Sequence, residues 1–308
     1  MTEKVQTQPK RVTRQGLMHL GVVYLVWSST YLAIRIAVMD GGGFPPFTLG
    51  FMRAALAAPI LMLWAWLKKG NIKPTKRDLI IMAISGVLLW NGGNGLVMIA
   101  EQRADSGLAA LLVAAMPIWS AVIEFILDKK LPSPIIIGSL LIGFVGVGVL
   151  GYPVLSGGVQ ADTLAIIALL AAPISWALGS ILQARNPVSV SPRANASYQM
   201  IFGAIGFLIL IFIMKEPFPT PTNEAWLAFF YLTIVGSIIT YASYVIILQV
   251  LPTKLVMTYS YVNPVLAVIL GWWILDEPIT GWTFAGAALV LLGVTGVFRE
   301  RTKINRTQ

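Results

Sequence analysis

The hydrophobic residues of this chain come in long blocks. They show neither the alternation of a half-buried strand nor the narrow stripe of a soluble helix. Apolar runs recur at 16–38, 46–67, 78–99, 106–127, 134–151, 161–183, 194–214, 225–248, 254–275 and 281–298. As helices they are of a length to cross a hydrocarbon core of about 30 Å, which takes about 20 residues. The polar stretches between them are too short to hold a soluble domain. The pattern predicts an all-α, polytopic membrane protein of ten transmembrane helices. A basic tail, 1–15, precedes the first run, and no small-residue cleavage site follows Trp27, so an uncleaved first helix is expected.

One run departs from the pattern. Residues 88–100 read LLWNGGNGLVMIA, with Trp90, two asparagines and three glycines crowded together. An amide facing hydrocarbon has no hydrogen-bond partner there, so Asn91 and Asn94 should face protein or a watered cavity. Asn91 suits a bond between two helices. Asn94, one turn on and on the Trp90 face, suits a cavity wall. Other runs carry matching chemistry. Tyr24, Trp27 and Tyr31 form one stripe of the first helix, and Trp176, Ser180 and Gln183 share a face of the sixth. Tyr259 and Asn263 stand one turn apart just before Pro264, Trp119 is central in the fourth run, and Tyr241 takes the repeat position of Asn94. The candidate solute-binding set is Tyr24, Trp27, Trp90, Asn94, Trp119, Trp176, Tyr241, Tyr259 and Asn263. Central tryptophans can merely fill space; several converging would line a cavity suited to flat or amphipathic solutes. Pro117 and Pro264 each free a backbone carbonyl, those of Val113 and Ser260, and are either hinges or passive kinks. Trp64, Trp66, Trp226, Trp272, Trp273 and Trp282 lie near run ends, as in an interfacial aromatic belt.

Composition agrees with the pattern: 57% of residues are hydrophobic and 11% charged. The net charge of +9 has a topological cause. With the N-terminus inside, every Lys and Arg falls in a cytoplasmic segment except Arg35, Arg53, Arg103 and Lys215. That bias places both termini in the cytoplasm of an inner (plasma) membrane protein, and no nucleic-acid partner is expected. Asp40, Glu101, Asp105, Glu216, Glu224, Asp276 and Glu277 are assigned to outer loops, Glu124 to the inner end of the fourth helix, Arg53 to a scaffold role, and Arg35 to the reach of Asp40. No acid or lysine is placed near the midplane. The chain has no cysteine and one histidine, His19, at a membrane edge. No catalytic constellation or metal motif is present in the sequence, so an enzyme is not expected, nor a cofactor.

The chain also repeats itself. Residues 126–150 and 274–298 align without a gap, matching Ile126, Leu127, Asp128, Gly138, Leu141, Gly148 and Val149 with Ile274, Leu275, Asp276, Gly286, Leu289, Gly296 and Val297. At an offset shorter by one, Gln102, Leu108 and Pro117 coincide with Gln249, Leu255 and Pro264. Each half holds five runs, an odd number, so the second half would cross in the opposite sense, the inverted repeat common in transporters. The expected layout is a tail, 1–15, a first repeat, 16–151, a second repeat, 161–298, and a tail, 299–308. Glycine rows in the last run of each half (Gly138, Gly143, Gly146, Gly148; Gly286, Gly293, Gly296) favour close helix packing. They leave a dimer open, with a monomer favoured.

The two blocks from Ser106 to Leu150 and from Leu255 to Phe298, with "FMRAALAAPIL" in the second run, resemble the paired repeats of the EamA branch of the drug/metabolite transporter superfamily. The resemblance covers nearly the whole chain and implies a ten-helix exporter with its substrate cavity between the halves. Lys129 departs from it, standing where the second half has Glu277. The length and tryptophan-rich runs are similar to aromatic amino-acid exporters of the YddG type. The leading expectation is export of aromatic and other neutral amino acids by alternating access. A broader drug or metabolite exporter, and a channel or structural subunit, are the alternatives. With no midplane carboxylate in view, facilitated export is preferred to simple proton exchange.

Overall fold

The computed structural model describes residues 12–39, 41–104, 106–150, 152, 156, 163–266 and 280–304. Every regular element among them is helical. In chain order these are α1 (Arg14–Val38), α2 (Pro46–Leu67), α3 (Lys76–Glu101), α4 (Ser106–Val113), α5 (Met116–Asp128), α6 (Pro134–Leu150), α7 (Thr163–Arg185), α8 (Pro192–Met214), α9 (Asn223–Val250), α10 (Thr253–Val256), α11 (259–266) and α12 (Gly281–Ile304). Seven helical stretches among the described residues are long and apolar enough to cross a membrane: α1, α2, α3, Ala109–Asp128, α7, α8 and α9. The chain is thus a polytopic helical membrane protein. Trp272, Trp273 and the second aligned block around Asp276 and Glu277 lie outside the described residues, as does Asp40.

Helix ends follow local chemistry. Thr75 and Asp78 make a reciprocal capping box at the start of α3, and Thr13 and Thr222 cap α1 and α9. Pro45 cannot cap α2 with a side chain. The carboxylate of Glu216, beyond the end of α8, does so instead, accepting from the Phe47 and Thr48 amides at 2.8 and 2.7 Å and from the Thr48 hydroxyl at 2.8 Å.

Packing brings distant parts of the sequence together. The most extensive pairings are α6 with α12 and α2 with α8; α3 lies on α7 and α8, and α1 on α9. The glycine rows explain the first. A Cβ on Gly146 would stand 2.6 Å from the Val290 amide nitrogen, and one on Gly293 2.6 Å from the Ser139 carbonyl oxygen. Only glycine lets these backbones approach so closely. One end of the bundle is tied by polar contacts. Asp128 and Arg185 pair at 2.6 Å, Glu124 and Lys254 at 3.4 Å, and Ser189 donates to Asp78 at 2.6 Å.

The fourth run is not one continuous helix, and one loop assignment is corrected. The helix carrying Pro117 divides at Ala114–Ala115, with the proline in the first turn of α5, where a missing N–H costs nothing. The second break falls at Met257–Thr258, more than a turn before Pro264, which lies inside α11. Glu101 is not a solvated loop residue: it ends α3 fully buried, at 0% exposure. Its backbone carbonyl accepts from the Arg35 guanidinium, the partner found there among the described residues, Asp40 being outside them.

Candidate functional site

The central chamber is built around two distorted helices. Residues Val87–Gly95 of α3 and Leu232–Thr240 of α9 are π-helical, with bonds reaching back five residues instead of four. The wider turn re-aims the side chains that follow it. In α9 the Ser237 and Thr240 hydroxyls donate to the carbonyls of Leu232 and Val235 at 2.9 and 2.7 Å, each five residues back. In α3 the Asn94 amide makes the same connection to Leu89, at 3.5 Å.

The glycines of α3 settle what the odd run is for. A Cβ on Gly92 would stand 2.0 Å from the Ser175 hydroxyl, and one on Gly93 2.4 Å from the Trp176 ring. They let α7 lie directly on the π segment. Asn91 turns the other way and donates to the Gly203 carbonyl of α8 at 3.0 Å, so it binds two helices together. Asn94 faces the chamber.

The walls of the chamber bound about 640 Å³ of space free of protein atoms, part of it open to solvent. Of the expected residues, Trp27, Trp90, Asn94, Trp176, Tyr241, Tyr259 and Asn263 line it. Tyr24 and Trp119 do not. The Tyr24 hydroxyl is bonded to Thr258 at 2.6 Å. Trp119 follows the break at Ala114–Ala115 and packs half-buried against the main apolar cluster. Neither Pro117 nor Pro264 reaches the wall.

The aromatic rings form a connected wall. Trp27 meets Trp176 edge-on at 5.3 Å between centroids, Tyr244 at 4.9 Å and Tyr259 at 5.0 Å, and Trp90 meets Tyr241 at 5.2 Å. Hydrogen bonds fix the rings: Trp176 donates to the Tyr244 hydroxyl at 2.8 Å, and Tyr241 to the Gln199 side-chain oxygen at 2.5 Å. Such a wall is pre-set, with little rotamer entropy left to lose on binding.

Sequence reasoning passed over several parts of this site. Tyr244 and Gln199 hold the rings in place, yet in sequence each is only one of several neighbouring polar residues, Thr240, Tyr241 and Ser243 before the first and Asn195, Ser197 and Tyr198 before the second. Arg53, which the sequence suggests as scaffold, lines the chamber at 4% exposure, its guanidinium carbon 5.7 Å from the centre of the Trp90 ring. An arginine deep within an apolar helix is a functional signal by its cost alone, and that signal was available. Among the described residues no three His, Asp or Glu side chains converge as metal ligands would.

Long apolar helices around an aromatic, polar-pointed chamber define a class: membrane proteins that handle small solutes. The sequence pattern of the EamA-like transporter family is matched twice, by residues 15–152 and by residues 163–299, and the chain belongs to that family. Similar proteins include "Uncharacterized inner membrane transporter YedA" of Escherichia coli strain K12, 33% identical over 253 residues covering 82% of this chain and 80% of that protein. "Uncharacterized transporter YoaV" of Bacillus subtilis strain 168 is 26% identical over 276 residues, covering 88% of this chain and 92% of that one. A solved crystal structure shares the fold, with a TM-score of 0.76 at 20% identity over 95% of this chain and 99% of its own.

Proposed function

We propose that the protein is an inner-membrane exporter of small amphipathic solutes, foremost aromatic and other neutral amino acids, working by alternating access. The observation that carries this reading is the internal chamber walled by Trp27, Trp90, Trp176, Tyr241 and Tyr259 and pointed with Asn94 and Asn263. Flat rings offer stacking faces to an aromatic or apolar body, and the amides offer bonds to a polar end. In this reading ten helices form two inverted halves, with both termini in the cytoplasm and the chamber between the halves.

Two observations support the duplication. One family pattern is matched once by each half. The packing is also reciprocal when halves are exchanged: α2 with α8 and α6 with α12 pair equivalents, and α1 on α9 mirrors α7 on α3. Pairings of that kind let one half rock against the other around a fixed site.

The test is flux of labelled tryptophan, phenylalanine, threonine and lysine into proteoliposomes, with and without a pH gradient. Saturable entry of the aromatic and neutral solutes in preference to lysine is expected. No entry of any of them, with folded protein, would contradict the reading.

A further inference from the structure

The polar atoms on the chamber wall are unbalanced. Three buried side-chain nitrogens in wall residues lack a hydrogen bond of good geometry: Nε of Arg53, Nε1 of Trp90, which interacts with the Tyr241 hydroxyl, and Nδ2 of Asn263, which interacts with the Tyr31 hydroxyl. All three are donors, and their residues are 4%, 1% and 1% exposed. Among the described residues no Asp or Glu lines the chamber, and Arg53 is the one charged residue there.

The Arg53 guanidinium is poorly occupied. Its two terminal nitrogens make only long contacts, to the Met98 sulfur at 3.9 Å and the Ser237 hydroxyl at 3.3 Å. The ion pairs among the described residues lie elsewhere, at Arg185–Asp128 and Lys254–Glu124. Glu101, buried nearby, attracts both Arg53 and Arg35 electrostatically, but it makes no side-chain hydrogen bond to Arg53 and does not reach the wall. A buried guanidinium with spare N–H groups is matched by a planar acceptor, since a carboxylate takes two parallel bonds from it. Trp90 stands next to it, adding an indole N–H, while its ring face steadies the cation.

We propose that Arg53 is the carboxylate anchor of the chamber. The solutes it admits are then small organic acids, amino acids among them, whose carboxylate rests on Arg53 and Trp90 and whose apolar body lies along Trp27 and Trp176. This rests on the chamber being the solute site, and it narrows that reading: organic cations without an acid group are disfavoured. A donor-rich wall repels an ammonium end and leaves its own N–H groups unpaired, a penalty that discriminates strongly.

The experiment is calorimetric titration of the full-length protein in lipid nanodiscs with tryptophan, indole-3-propionate and tryptamine, which carry both ionic ends, the acid alone and the amine alone. Indole-3-propionate should bind at least as well as tryptophan, and tryptamine at least tenfold more weakly. Arg53→Gln should weaken both acids tenfold or more while leaving tryptamine unchanged. Trp90→Phe keeps the ring but deletes the indole N–H, and should weaken the acids a few-fold even if the arginine variant does not fold. Tryptamine binding as well as the acids, or variants losing acid and amine equally, would overturn the anchor and leave the chamber as solute site standing. No binding of any of the three by folded wild-type protein would overturn both.

Discussion

The π segments of α3 and α9 reach one backbone geometry by opposite chemistry. The α3 segment, VLLWNGGNG, does it with glycine: Gly92 and Gly93 bring α7 so close that any Cβ would collide with Ser175 or Trp176. The α9 segment, LTIVGSIIT, does it with hydroxyls, Ser237 and Thr240 each satisfying a carbonyl five residues back. Its own glycine, Gly236, has room, with Thr30 at 3.4 Å from a built Cβ. One segment is held from outside by packing and the other from within by its side chains, so they should fail differently.

The largest expected difference is between the two glycines. Gly93→Ala should destabilise the protein by about 1–3 kcal/mol, the usual cost of overpacking, because Trp176 is pinned by Tyr244 and Trp27. Gly236→Ala, buried but with room for the methyl, should cost less than about 1 kcal/mol or gain slightly, since alanine is favoured over glycine inside a helix by about 0.5–1 kcal/mol. Thermal unfolding of the purified variants checks this, and equal shifts would remove the contrast. Tyr244→Phe comes next, since it leaves the buried Trp176 N–H without an acceptor, at about 1–3 kcal/mol. Thr240→Val keeps the shape and deletes the bond to Val235, so about 1 kcal/mol should be lost by the same assay. Asn91→Ala removes a single bond between helices, with an average cost of about 0.6 kcal/mol in membrane proteins, and should leave solute affinity within twofold in a binding titration.

Much of the site was legible because polarity in lipid is expensive. Asn94, Asn263 and central rings of α1, α3, α7 and α9 could be placed on an interior face from that cost, helical spacing and the internal repeat together. What the spacing hid was backbone register. A π turn shifts every later side chain, and no local pattern distinguishes VLLWNGGNG from an α-helix. The division before Pro117 likewise turned Trp119 away from the chamber. Glu101 was misplaced because it ends an apolar run, where a charged residue ordinarily meets water; in the fold the Arg35 side chain closes over its backbone. Arg53 had a readable cost but an unreadable direction.

Transport by this protein requires solute to pass through the chamber. Initial rates of labelled tryptophan entry into proteoliposomes, for wild type and Asn94→Ala at equal amounts of folded protein, test that most directly. Asn94 faces the chamber and holds the helix only through a 3.5 Å contact, so its loss should spare the fold and cut the rate severalfold. An unchanged rate in a well-folded Asn94→Ala protein would contradict it.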